Sequence, residues 1–252
     1  MASPVFAKDK RFNENSPTRF DTALNQEQQG VMTIENTIRK TVGLFVILII
    51  AAAVGWIFLP PIALLPLAIV GLALGLVNVF KKEVSPPLII AYAAVQGLLL
   101  GTISKFYEAS MPGIVAQAVL ATFCVLAVVL ALFANGKIRQ TAKATKIFMV
   151  AIIGYLLFSV VNFVLMLTGT IDGMYGIRGM DIPGTNIPMG VPLGLLAILL
   201  ASYSLVMDFT FIQQGEKNRL PEKEGWRGAF GLMVTIVWLY LEILRLIGIV
   251  RN

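Results

Sequence analysis

Apolar residues in this chain come in long unbroken blocks. They show neither the two-residue alternation of a half-buried strand nor the narrow stripe of an amphipathic surface helix. The blocks cover residues 42–58, 62–80, 86–106, 113–134, 147–167, 193–212 and 229–250. Each is close to the ~20 residues that an α-helix needs to cross a bilayer. Lipid offers the backbone no hydrogen bonds, so such a segment satisfies its own N–H and C=O groups by becoming a helix. The pattern therefore predicts an all-α integral membrane protein with seven transmembrane helices. Leu59-Pro60-Pro61 separates the first two blocks, and Lys81-Lys82-Glu83 ends the second. Gly71, Gly75, Gly97 and Gly101 lie inside blocks, where small residues let membrane helices approach closely. Trp56, Tyr107 and Trp226 lie near block ends, as residues of an aromatic belt would.

Two segments do not follow the pattern. Residues 1–40 are polar, and the apolar core starts only near Thr41. A secretory signal would place that core directly after a short basic stretch. The expected division is a polar cytoplasmic tail over 1–40, with one or two helical turns near 32–40, and a membrane domain over 41–252. Residues 168–192 are rich in Gly and Pro, with only Asp172, Arg178 and Asp181 charged. This segment is too apolar for a solvated loop and too broken for a helix. It is expected to fold back over the outer mouth of the bundle, either as packed loop or as lid.

Composition strengthens the membrane reading. Of 252 residues, 57% are hydrophobic and 13% charged, about half the charged share of an average soluble domain; the mean hydropathy is +0.82. The one cysteine, Cys124, offers no disulfide. The chain has no histidine, which excludes Ser–His proteases, H-E-x-x-H metalloproteases and bis-histidine haem carriers. No enzymatic activity is expected. The net charge of +6 is explained by position rather than by nucleic acid. Sixteen of the 20 Lys and Arg residues fall in the tail and in the loops after the second, fourth and sixth blocks. By the positive-inside rule the N-terminus is inside and the C-terminus outside.

Charge within a block is costly, so it marks the candidate chemistry. Asp208 lies near the inner end of the sixth block, and Glu242 lies deep in the seventh with Arg245 three residues later. That spacing puts Glu242 and Arg245 on one helix face, as a self-neutralising pair. If the last two helices are neighbours, Asp208 and Glu242 can also face each other. Two carboxyls sharing a dry site do not both ionise cheaply, so such a pair can bind a cation, share a proton or gate a path. At 1.5 Å per residue the two acids miss by about 10 Å in depth, unless the sixth helix continues past Gln213 or the helices tilt.

Here the sequence resembles the Bax inhibitor and YccA-like membrane family, over about residues 30–250. The acid of the sixth block and the stretch Leu239-Tyr240-Leu241-Glu242 carry the resemblance. The family usually reads L-Y-L-D there, with Asn three residues on. The resemblance implies a central last helix wrapped by the others, and a pH-sensitive calcium leak gated by an acid pair on the last two helices. By position the pair is Asp208 and Glu242, with Lys81 or Lys82 as a latch onto the sixth-helix acid. Three positions depart from the family pattern. Glu242 replaces Asp, Arg245 replaces Asn, and Gln96-Gly97 stands where many members have Glu-Gly. The first keeps the charge and lengthens the reach; together the three make the pathway less negative, and a fixed guanidinium repels Ca²⁺ and favours ionised carboxylates.

The leading expectation is thus a pH-sensitive ion leak in the plasma membrane, with Ca²⁺ as the family-implied transported ion, Asp208 and Glu242 as its ligands, and no cofactor. One alternative is a non-conducting protein that binds another membrane protein and acts in stress regulation. Another is a proton-coupled transporter, although the halves share no inverted pattern of broken helices. A retinal protein is discarded, because the seventh block has no lysine for a Schiff base.

Overall fold

The computed structural model describes residues 30–251. Seven helices are long and apolar enough to cross a membrane. They are α1 (Ile34–Phe58), α2 (Leu64–Phe80), α3 (Pro86–Ser110), α4 (Ile114–Ala134), α5 (Ala142–Leu167), α6 (Gly190–Lys217) and α7 (Glu224–Arg251). A 3₁₀ turn, Pro61–Ala63, leads into α2, and a second, Gly176–Gly179, lies in the α5–α6 loop.

Local chemistry sets the helix ends. The Thr33 hydroxyl accepts from the Asn36 amide at 3.1 Å and starts α1, and Thr141 caps α5 through the Ala144 amide at 3.2 Å. Pro86 sits at the start of α3, where its missing N–H costs nothing. Glu108, from the last turn of α3, accepts from the amides of Gly113 (2.6 Å) and Val115 (3.1 Å) at the head of α4. Its negative charge suits a helix N-terminus. The two threonine caps carry α1 and α5 into polar sequence, to Ile34 and Ala142. α1 begins at Ile34 and α7 at Glu224, before the apolar blocks expected from 42 and 229. Residues 34–40 form the first turns of α1, so the helical turns expected near 32–40 are continuous with the first span. The remainder of the expected tail, residues 1–29, lies outside the described residues.

The last helix is central, as the resemblance implies. Half of the apolar window of α7 is buried inside the protein, against 6% for α2 and 11% for α5. α7 packs on α1, α3, α4 and α6. α2 and α5 lie outside and leave Ile69, Leu72, Val150 and Leu157 exposed, the surface that lipid covers. α1 and α3 pack closest. A Cβ at Gly101 would overlap the Ala52 carbonyl, and one at Gly97 the Leu48 carbonyl. Gly71 and Gly75 face the side chains of Gln96 and Tyr92 instead. Tyr107 is buried and packs on Tyr175 at 6.5 Å, so it does not belong to an interfacial belt.

The two ends of the bundle differ. At the hairpin end, the segment before α1 pairs with the α6–α7 turn. The Met32 amide donates to Leu220 O at 2.8 Å and the Glu222 amide to Gly30 O at 3.1 Å. At the loop end, residues 168–189 fold back onto the bundle. The Ile177 amide donates to Asn162 Oδ1 at 2.7 Å, and Asn162 Nδ2 donates to Tyr175 O at 3.3 Å.

Candidate functional site

Asp208 and Glu242 do not form a pair. Asp208 is half-buried on α6, and its Oδ2 accepts from the Thr235 hydroxyl of α7 at 2.7 Å. Thr235 also lies 3.3 Å from the Ser204 hydroxyl. Glu242 lies two turns beyond Thr235 on the same helix, about 10 Å along its axis. α6 does extend past Gln213, to Lys217. The extension fails to bring the acids together because α7 starts correspondingly early, at Glu224. Both helices lengthen at the same end, so their register does not slide.

The expected latch is not formed either. Lys81 and Lys82 are exposed. Among the described residues neither makes an ion pair, and Asp208 makes none. What this corner does hold is Arg227, whose Nη2 donates to Lys82 O at 3.0 Å. It joins α7 to the α2–α3 turn through backbone. The expectation that Asp208 and Glu242 ligate one metal ion also fails on geometry. Among the described residues no three Asp, Glu or Cys side chains converge as a metal site.

Glu242 is the centre of a different arrangement. It is 3% exposed. Its Oε1 accepts from Arg245 Nη1 at 2.7 Å and from Trp238 Nε1 at 3.3 Å. The i to i+3 pair expected from the sequence is thus present. Its Oε2 faces Arg178 Nη1 at 3.4 Å. Arg178 comes from the 3₁₀ turn of the α5–α6 loop and is 4% exposed. Its Nη2 donates to Tyr155 Oη (2.9 Å) and Ser159 Oγ (2.8 Å) of α5. Its guanidinium also lies over the rings of Tyr155 (5.1 Å) and Phe158 (5.7 Å). One carboxylate therefore stands between two guanidinium groups, and the site carries a net positive charge.

Sequence reading places Arg178 among the outside charges and gives it no role. The signal lies in its setting. It is a lone cation in an apolar, Gly-rich loop, and such a loop must bury it or expose much apolar surface with it.

These groups line a cavity of about 370 Å³ at the loop end. Tyr107, Tyr175, Ser159 and Asn162 add polar groups to its wall. A separate cavity of about 420 Å³ between α1, α3, α4 and α7 is walled almost wholly by apolar side chains. Its polar feature is the 2.6 Å contact between the hydroxyls of Ser104 and Tyr240. Tyr240 belongs to the Leu239–Glu242 stretch, so that stretch is fixed to α3 on one face and meets Arg178 on another.

A family model described as Bax inhibitor 1 like matches residues 3–252. The chain belongs to the Bax inhibitor 1 like family. No curated protein matches it. Within that family framework this chain is a multi-pass membrane protein with a buried carboxyl on the central helix. In this Bax inhibitor 1 like protein the α5–α6 loop inserts a cation beside that carboxyl, and Arg245 stands on the other side.

Proposed function

We propose that the protein is a pH-sensitive ion leak of the plasma membrane, closed in this conformation, with Ca²⁺ as the ion that family membership suggests. The observation that carries the reading is the origin of the Arg178 side chain. It reaches Glu242 from a loop, not from a spanning helix. A loop can withdraw without unpacking the bundle, so a plug of this kind is removable.

The closed state follows from charge. Two guanidinium groups around one carboxylate oppose entry of a cation from the loop end. Withdrawal of Arg178 leaves Glu242 neutralised by Arg245 alone and removes that barrier. The pH response is assigned to Asp208, whose bond to Thr235 ties α6 to α7 toward the other end. A hydroxyl bonded to an ionised carboxylate is held about twice as strongly as one bonded to a neutral acid. Protonation of Asp208 therefore loosens the α6–α7 contact. The acids act at two levels of one helix pair rather than as a shared-proton site.

The test is dye-reported Ca²⁺ entry into proteoliposomes between pH 6 and 8. The parent protein is expected to show a pH-dependent leak, and Asp208→Asn to lose most of that dependence. A parent without flux, or an Asp208→Asn variant with the full pH dependence, would overturn the reading. Absence of flux would favour a non-conducting protein that acts by binding a membrane partner.

A further inference from the structure

We infer that the cavity at the loop end is a binding site for a singly charged carboxylate ligand, held by Arg245 and Tyr175. This inference does not depend on conduction. It starts from hydrogen-bonding capacity that the protein leaves unused. A guanidinium carries five N–H donors in a planar fork. Arg245 uses Nη1 on Glu242 and makes no other hydrogen bond among the described residues. About a third of its side chain (34%) stays accessible, and it lines the cavity.

The second observation is independent of charge. Tyr175 is 6% exposed, and its buried hydroxyl makes no hydrogen bond within 3.5 Å, although it faces the Tyr107 phenol. A buried unsatisfied hydroxyl is uncommon in a native interior and calls for a partner. Tyr175 lines the same cavity as Arg245. Gly248 lies directly under that hydroxyl: a Cβ there would come within 2.5 Å of Tyr175 Oη and 2.8 Å of the Tyr107 ring. Glycine at this position keeps the room around the two tyrosines.

Charge selects the ligand class. The groups facing the cavity include two guanidiniums, Arg178 and Arg245, against one carboxylate, Glu242. A monoanion brings the site to neutrality, whereas a dianion would overshoot. A planar carboxylate matches the fork of Arg245 in two parallel bonds. A volume of about 370 Å³ lies at the small end of ligand sites, which suits an acid of modest size or the head of a longer one. The wall also includes Leu156 and Phe163 of α5, which are half-exposed on the face that lipid covers. A carboxylate can therefore come from water as a short acid, or from the bilayer as a fatty acid with its tail along α5.

The experiment is calorimetric titration of the full chain in phosphatidylcholine nanodiscs, with butyrate in one arm and oleate in the other. Nanodiscs without protein serve as blanks. Saturable binding of either acid is expected. Binding in the butyrate arm alone identifies an aqueous ligand, and binding in the oleate arm alone identifies a membrane ligand. Arg245→Gln is expected to weaken binding at least tenfold. Tyr175→Phe, which removes one oxygen and keeps the packing, is expected to weaken it severalfold. If Arg245→Gln does not fold, Tyr175→Phe decides. No saturable binding in either arm would overturn the inference, as would affinities that neither substitution changes.

Discussion

At the scale of single residues the informative contact is the one between Glu242 and its two arginines. Removing one member of a buried charge cluster costs most when an unpaired charge is left behind, about 3–5 kcal/mol. Glu242→Gln leaves two guanidinium groups with no carboxylate. It is expected to lower the stability of the detergent-solubilised protein by that amount. Arg178→Gln leaves Glu242 still paired with Arg245 at 2.7 Å, so it is expected to cost clearly less. Thermal unfolding of both variants checks the order. A double Glu242→Gln, Arg178→Gln variant should recover part of the loss. The two acids and Arg245 are visible in the sequence, because ionisable groups inside apolar blocks stand out. Arg178 is not, because a charge in a loop looks ordinary until the loop folds inward. The partner of Asp208 is hidden for another reason. Thr235 is an unremarkable residue in an apolar block, and only the antiparallel register of α6 and α7 brings its hydroxyl to the carboxyl.

At the scale of elements, hydropathy marks all seven helices, but their ends follow a different chemistry. Hydropathy reports where lipid is. Helical hydrogen bonding continues into polar sequence wherever a cap permits, which moves the start of α1 back to Ile34 behind Thr33 and of α5 to Ala142 behind Thr141. The α6 terminus shows how a helix is stopped. Arg219 takes a positive φ of 50°, and the Leu220 amide bonds back to Gly215 O at 3.0 Å. This is the left-handed ending usually given to glycine. Arg219→Gly removes the steric cost of that conformation but loosens the unfolded chain. It is expected to raise stability by about 0.5–1 kcal/mol, measured by chemical unfolding. The α1–α3 contact gives the opposite case. Gly101→Ala forces a methyl group into the Ala52 carbonyl and is expected to destabilise by about 3 kcal/mol, the upper end for overpacking. Gly154→Ala in α5 meets nothing within 4 Å and serves as control, with a small gain from helix propensity. A thermal melt in which the two alanine variants behave alike would contradict the close α1–α3 approach.

At the scale of the whole molecule, the two ends of the central helix are held by different kinds of tie. The hairpin end is tied to the start of α1 through Glu222. Its carboxylate accepts from Asn36 Nδ2 at 2.6 Å and from Lys40 Nζ at 3.1 Å. The Asn36 bond first, and then Lys40, hold this carboxyl below its ordinary value of 4.5. The fold therefore favours its charged form. The tie contributes fully above pH 4.5 and is lost as pH falls through the lowered value of the folded state. Protection of the amides of residues 30–36, taken as the exchange rate relative to the intrinsic rate at the same pH, is expected to fall below that point in the parent, and to be low at every pH in Glu222→Gln. The loop end is tied by Arg178, and this tie is buried. The seven-helix layout and the central last helix are legible in the sequence or implied by the resemblance. The docking of the α5–α6 loop is legible only as a fold-back, because nothing in its composition fixes which side chain it delivers.

The central claim is that Arg178 plugs a leak whose carboxyl is Glu242. It is tested most directly by the rate of Ca²⁺ entry into proteoliposomes carrying Arg178→Gln, compared with the parent at neutral pH. Because Arg245 keeps Glu242 neutralised in this variant, the bundle should stay folded while the plug is gone. The account predicts a leak raised severalfold over the parent. A folded Arg178→Gln protein whose leak is equal to or below that of the parent would contradict it.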